Sequence, residues 1–202
     1  MRVDLRETVG GKAYRWLAST ITPRPIAWVS TVSEDGVHNL APISFFNVIC
    51  DDPPTFVIAI VPRPDGARKD TLRNAETTGE VVINLVNAAL AESMNKSSAS
   101  LPPELSEFEE FGIAHEPSEL VKPWRVAGTP VSYECRVAQV MPYPAERPTR
   151  HLIFAEALVA HIDDAVLADE RHVDPVKLDI VGRLGGNLYA HTRDIFELQR
   201  PL

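Results

Sequence analysis

The sequence predicts a mainly β protein with short helices, folded as an antiparallel barrel. Three observations carry that expectation. At least six segments are rich in β-branched and aromatic residues, which favour a pleated, half-buried surface. Several follow one another through tight-turn chemistry, the meander pattern of an antiparallel sheet rather than of a doubly wound parallel one. One of them, Thr55 to Val61, has almost no polar residue, and a closed barrel would remove the exposed edge that so apolar a strand creates. At 202 residues the chain can bury a core without disulfide or metal staples, and residues 1–202 are read as a single domain.

The first strand is Ile26 to Ser33 (IAWVSTVS). Glu34-Asp35-Gly36 supplies a turn in which Gly36 is free to take positive φ. Val37 to Phe46 then resumes as the second strand of a hairpin, with Pro42 marking an edge or a bulge. Asp51-Asp52-Pro53-Pro54 is a hard turn before Thr55 to Val61, which is expected to be buried on both faces.

After a loop at Pro62 to Gly66, Lys69 to Thr78 has helical character and stops at Gly79. Glu80 to Val86 is a fourth strand, Ala88 to Lys96 a short helix, and Ser97 to Pro103 a surface loop or flap. Ser106 and Glu109 have the spacing of a capping box. The acidic run Glu104 to Glu110 is expected to be a solvated helix face.

Val131 to Met141 alternates, with Val131, Tyr133, Cys135 and Val137 on the apolar face. Pro142 to Pro148 is a connection. Arg150 to Ile162 fits strand or helix by apolar count, and its β-branched and aromatic content favours strand. Asp174 to Gly182 carries a short helix, and Gly185-Gly186 breaks the chain before Tyr189.

Composition excludes several functions. A net charge of −8 repels a polyanion, so sequence-independent nucleic-acid binding is disfavoured, and Gly66 to Arg73 is the only dense basic stretch. No apolar run approaches a membrane span, and Met1 to Ser19 lacks the apolar stretch of a secretory signal, so a cytoplasmic location is expected. Cys50 and Cys135 form no C-x-x-C and are expected to be buried free thiols. The histidines show no metal-binding spacing, and no nucleophile elbow or Walker loop occurs.

The richest polar constellation lies in Asn39 to Asn47, where Ser44 and Asn47 flank Phe45 and Phe46. Ser30 and Thr31 sit on the paired strand. Arg68, Lys69, Asp70 and Thr71 open a helix behind a glycine-bearing loop, a setting in which backbone N–H groups, the macrodipole and cations all favour a phosphate. Together these segments suit a flat polar heterocycle with a phosphate at one end. Taken singly, each is better explained as a strand hydroxyl, a solvated cation or a plain cap, and it is their combination that points to a ligand.

Thr22-Pro23-Arg24-Pro25-Ile26-Ala27-Trp28-Val29-Ser30-Thr31, followed by Asn39-Leu40-Ala41-Pro42-Ile43-Ser44-Phe45-Phe46-Asn47, resembles the flavin reductase-like family of FMN-binding split barrels. The resemblance continues through Arg68 to Asn74, Thr78 to Asn84, Ser132 to Cys135 and Gly182 to Ala190, so it spans almost the whole chain. It implies an FMN-binding antiparallel split β-barrel that works as a homodimer. It further implies that Val29, Ser30 and Thr31 line one side of the flavin ring. Ala41, Pro42, Ser44, Phe45, Phe46 and Asn47 would wrap the ring and ribityl chain. Arg68, Lys69, Asp70 and Thr71 would hold the phosphate, and Tyr189 would close the site.

The implied activity is that of an NAD(P)H-dependent flavin reductase, with NADH or NADPH as donor. It would pass a hydride to FMN and supply reduced flavin to a monooxygenase or electron-transfer protein. The alternatives are a flavoredoxin-like electron carrier or flavin store, and a barrel that binds no flavin. The flavin carries the chemistry, so no side chain is nominated as a catalytic acid or base. The Ser97 to Pro103 loop and the Phe108 to Pro123 insertion exceed what a minimal barrel needs and would cover the flavin.

Overall fold

The structure, a computed structural model, describes residues 1–7, 12–63 and 65–201. Seven strands form one antiparallel sheet: β1 (Ala27–Val32), β2 (His38–Ile43), β3 (Phe46–Asp51), β4 (Pro54–Ile60), β5 (Glu80–Leu85), and the two long strands β8 (Val131–Tyr143) and β9 (Arg150–Ile162). Short pairs lie outside it: β6 (His115–Glu116) with β7 (Arg125–Val126), and β10 (Gly182–Arg183) with β11 (Tyr189–Ala190). The helices are α1 (Lys12–Thr20), α2 (Asp70–Thr78), α3 (Ala91–Lys96), α4 (Glu107–Glu110) and α5 (Pro175–Leu178).

The sheet order is β2-β1-β5-β8-β9-β4-β3. Its two outermost strands are consecutive in the chain, joined only by Ser44 and Phe45. A flat sheet of this width would hold its edges roughly 29 Å apart, since neighbouring strands lie about 4.8 Å from one another. Two linking residues cannot span that distance, so the sheet must curl until β2 and β3 approach. The Phe45 carbonyl accepts from Ala59 N of β4 at 2.8 Å and pins the link against the far side of the sheet.

Several local expectations hold. Gly36, in the β1–β2 turn, has φ 86°, and Gly79, closing α2, has φ 72°, both in the left-handed region that glycine tolerates. Arg150–Ile162 is strand, resolving the strand-or-helix alternative. Pro42 lies on the edge strand β2, where a missing N–H is harmless. The helix expected over 174–182 is one turn, capped by Asp174, which accepts from Val176 N and Lys177 N.

Others are corrected. The second strand does not run from Val37 to Phe46 but breaks at Ser44 and Phe45, and Phe46 opens β3, which pairs with β4. The 55–61 strand is not buried on both faces: Phe56, Ile58 and Ile60 point into the core and alternate with half-buried Thr55, Val57 and Ala59. β1 is covered on both sides, as is the middle of β5. Ala27 and Val29 join a core with Phe56, Ile58, Leu72, Ile83 and Ile153, whereas Trp28 joins a second with Leu40, Met94, Phe108 and Val126.

The capping box does not form, because Ser106 makes no side-chain cap bond and its hydroxyl is buried without a partner among the described residues. A bulge after Glu134 breaks the expected alternation of β8, so Glu134 and Cys135 are both buried. Cys50 is only partly buried, contrary to expectation, and its thiol donates to the Asp52 carbonyl at 3.2 Å.

The glycine-rich stretch at 182–186 is a close approach. A Cβ on Gly182 would stand 2.5 Å from the Pro23 Cβ, and one on Gly185 would stand 2.9 Å from the Ser19 Cβ. Arg24 N donates to the Arg183 carbonyl at 3.0 Å and Arg183 N to the Arg24 carbonyl at 2.9 Å, tying this stretch to the segment before β1.

Candidate functional site

A pocket of about 250 Å³ opens where β2, the 44–45 link, the end of β4 and the start of α2 converge. Its apolar wall includes Ala41, Pro42, Phe45 and Ile60. Tyr14 of α1 stacks on Phe45, with ring centroids 5.9 Å apart and planes within 28°, so the two rings form one aromatic wall. Residues 97–101 also line the pocket and bring three serines to it. Ser97 fixes that loop: it accepts from the buried Trp28 indole N–H at 2.8 Å and donates to the Met94 carbonyl at 2.8 Å.

The polar end is the start of α2. Lys69 precedes the helix with no side-chain cap, and the first-turn N–H groups of Asp70 and Thr71 have no acceptor within the helix. Although Lys69 is exposed as a residue, its ammonium is partly desolvated where it lines the pocket. That desolvation, and the nearby Arg63 guanidinium, hold it below the ordinary lysine range. Arg63 pairs with Asp70 at 2.5 Å, and Asp70 also holds Arg73 at 2.5 Å.

A buried polar chain runs from this lining into the interior. Thr71 Oγ1 donates to Asn39 Oδ1 at 2.9 Å, Thr31 Oγ1 lies 3.4 Å from the same oxygen, and Asn74 Nδ2 donates to Thr31 Oγ1 at 3.1 Å. Asn39 Nδ2 in turn faces both carboxylate oxygens of Glu107 at 3.0 Å, and Leu40 N donates to Glu107 at 2.8 Å. Burial raises the Glu107 carboxyl above the usual range. The hydrogen bonds from Leu40 and Asn39 oppose the rise, and the Asp70 charge adds to it.

The structure therefore brings together Ala41, Pro42, Ser44, Phe45, Lys69, Asp70 and Thr71 from the residues the sequence singles out. It places the others elsewhere. Val29 is core, and Ser30 is fully buried with its hydroxyl on the Trp124 carbonyl. Thr31 belongs to the buried polar chain. Phe46 packs on Phe56 with centroids 5.6 Å apart, and Asn47 is exposed, accepting from Val48 N at 2.9 Å. Arg68 is paired with Glu76 on the α2 surface.

Tyr189 lines a second cavity of about 450 Å³ with Ala88, Ala91, Val181 and His191. The Arg183 guanidinium sits 4.4 Å from the Tyr189 ring centroid, and the phenol donates to Asn95 Oδ1 at 3.3 Å.

Sequence reading missed Arg63, Glu107, Arg150 and Tyr14 as pocket residues. Glu107 sits in the acidic run expected to be solvated, yet it is 5% exposed. The only local sign was the neighbouring Phe108, whose burial draws the first turn of α4 inward.

The class defined so far is a mainly antiparallel β protein with an aromatic-walled pocket that carries lysine and arginine side chains where a helix begins. The family model described as flavin reductase like domain matches residues 19–176, and the chain belongs to that family. An uncharacterized protein of Aquifex aeolicus is 39% identical over 190 residues, covering 94% of this chain and 95% of its own.

Among solved structures, nitrilotriacetate monooxygenase component B from Bacillus cereus superposes with a TM-score of 0.93 at 28% identity, covering 98% of each chain. The 2-nitrobenzoate 2-nitroreductase NbaA of Pseudomonas fluorescens superposes with a TM-score of 0.89 at 28% identity, covering 100% of this chain and 96% of its own.

Proposed function

We propose that this chain is an FMN-binding oxidoreductase of the NAD(P)H:flavin reductase type, folded as a split β-barrel in one domain. The observation that carries the reading is the start of α2. Lys69 and the free N–H groups of Asp70 and Thr71 make an anion cradle at one end of a pocket walled by Pro42, Phe45 and Tyr14. The phosphate of FMN suits the cradle and its ring suits the aromatic wall. Thr71 contributes its backbone N–H, because its hydroxyl is already given to Asn39. Bound FMN supplies the electron-accepting ring chemistry, and the protein supplies binding, orientation and electrostatics.

The similarity to a protein titled as a monooxygenase component supports a role in supplying reduced flavin to a separate partner. Exposed Ile195, Phe196 and Leu198 on the extended C-terminal segment suit burial against a second copy, as a homodimer requires. Val29, Ser30 and Thr31 then act behind the site, as core and as support for Asn39. Tyr189 stands beside the 95–98 segment through Asn95 rather than in the pocket wall. A cytoplasmic location fits a chain in which no described helix is long and apolar enough to cross a membrane.

A second reading, a flavoredoxin-like electron carrier, is favoured by the 97–101 loop, which is anchored through Ser97, lines the pocket and would restrict nicotinamide entry. A visible spectrum of the protein with added FMN, taken before and after anaerobic NADH and then NADPH, separates the readings. A bound flavin that bleaches quickly supports the reductase and names the donor. A bound flavin that stays oxidised favours the carrier, and no bound flavin overturns both.

A further inference from the structure

Arg24 is 7% exposed, and no carboxylate among the described residues pairs with it. Its donors go to neutral oxygens instead. Nη1 donates to the Ala18 carbonyl in the last turn of α1 and to the Ile21 carbonyl at 2.9 Å, and Nη2 donates to the Leu184 carbonyl at 3.1 Å. The C-terminal end of a helix offsets roughly half a charge, so the guanidinium remains a buried, partly uncompensated cation. Such a charge is costly unless something negative answers it.

Two of its neighbours line the pocket. Arg24 Nε faces Ser44 Oγ at 3.4 Å, and the guanidinium carbon lies 5.9 Å from the Phe45 ring centroid. The Ser44 oxygen is occupied by a cationic donor, and its hydroxyl hydrogen has no acceptor among the described residues. Ser44 therefore presents a polarised donor to the pocket. The other cations there differ. Arg63 has a carboxylate partner in Asp70, which it shares with Arg73, and Lys69 and Arg150 are more exposed than Arg24.

We propose that Arg24 is a positioning residue: it acts through Ser44 and Phe45 to favour the more negative, reduced state of the flavin over the oxidised one. This rests on the FMN-binding reading above. The competing role is a purely structural one, in which Arg24 only ties α1 to the 184 segment.

The test is the ratio of affinities for reduced and oxidised FMN, measured anaerobically by flavin fluorescence for wild type, Ser44→Ala, Arg24→Gln and Arg24→Lys. Ser44→Ala and Arg24→Gln should each lower that ratio about tenfold, the scale of one charge-assisted hydrogen bond. For a two-electron couple that is a midpoint potential lower by about 30 mV. Arg24→Lys keeps the charge and should retain most of the ratio. An unchanged ratio in Ser44→Ala and Arg24→Gln, or equal weakening of both states, overturns the proposal. Should Arg24→Gln fail to fold, Ser44→Ala decides alone by the same criterion. Wild-type protein that binds no FMN overturns the function reading and takes this proposal with it, whereas binding with unaltered ratios overturns this proposal only.

Discussion

Asn39 and Glu107 meet face to face beside the pocket: the Asn39 amide nitrogen lies 3.0 Å from each oxygen of the Glu107 carboxylate. The contact fastens α4 to the edge strand β2 across a gap of nearly seventy residues, and it fixes which way Asn39 points. Its carbonyl must then face Thr71, which steadies the start of α2. A single buried carboxylate thus holds the excursion after residue 104 against the start of α2.

Glu107→Gln should destabilise the protein by about 1–3 kcal/mol, the cost of a buried polar group left without its partner. One oxygen of glutamine can accept from Leu40 N, but its NH₂ must then confront the Asn39 amide, and flipping Asn39 would break the bond to Thr71. The pH dependence has a definite sign. Because burial raises the carboxyl in the folded state, Glu107 contributes fully below its unfolded pKa, and the contribution declines as pH rises through the folded value. Urea unfolding of both proteins across pH 4 to 8 checks this, and the slope should be flatter in the variant.

His38 provides the opposite dependence. Its ring is one layer of a stack in which the Trp124 indole lies between His38 and His115, with centroids 3.5 and 3.7 Å away. Burial first, and the His115 charge second, push His38 down to about 4. The unfolded chain therefore takes up a proton that the folded one refuses. The contribution is complete above the ordinary histidine value and is lost as pH falls through it toward 4. His38→Phe, which keeps a ring in the stack, should remove roughly 1–2 kcal/mol of acid sensitivity after solvent screening. Chemical denaturation at pH 5 and pH 7.5 measures the difference.

Gly182→Ala should cost about 1–3 kcal/mol, because the new methyl would stand 2.5 Å from Pro23 and neither backbone can yield cheaply. The same substitution should loosen the Arg24–Arg183 pairing and raise amide hydrogen exchange at both residues. A variant as stable and as protected as wild type would show that this close approach is dispensable.

Much of the fold was legible because its signals are local. β1, β4, β5, β8 and β9 announce themselves by β-branched and aromatic runs, and α2 by its start and its closing Gly79. β3 was not legible. Phe46–Asp51 is an exposed edge with little alternation, and only its pairing with β4 makes it a strand. The site divides in the same way. Lys69, Asp70 and Thr71 follow from helix-terminus chemistry, which sequence carries. Val29, Ser30 and Thr31 carry the same residue types as a binding strand, but tertiary packing covers them on both faces, and no local pattern reports that. Glu107 and Arg24 were hidden because burial of a charged side chain depends on partners far away in the chain.

The most direct measurement compares the affinities of FMN and riboflavin for wild type and for Lys69→Ala, by equilibrium titration of flavin fluorescence. The two ligands differ by the phosphate alone. Wild type should prefer FMN, and Lys69→Ala should weaken FMN binding roughly 10–100-fold while leaving riboflavin unchanged, as expected for loss of one charge-assisted contact. A Lys69→Ala protein that binds FMN as tightly as wild type, or one that loses both ligands equally, would contradict the placement of the phosphate at the start of α2.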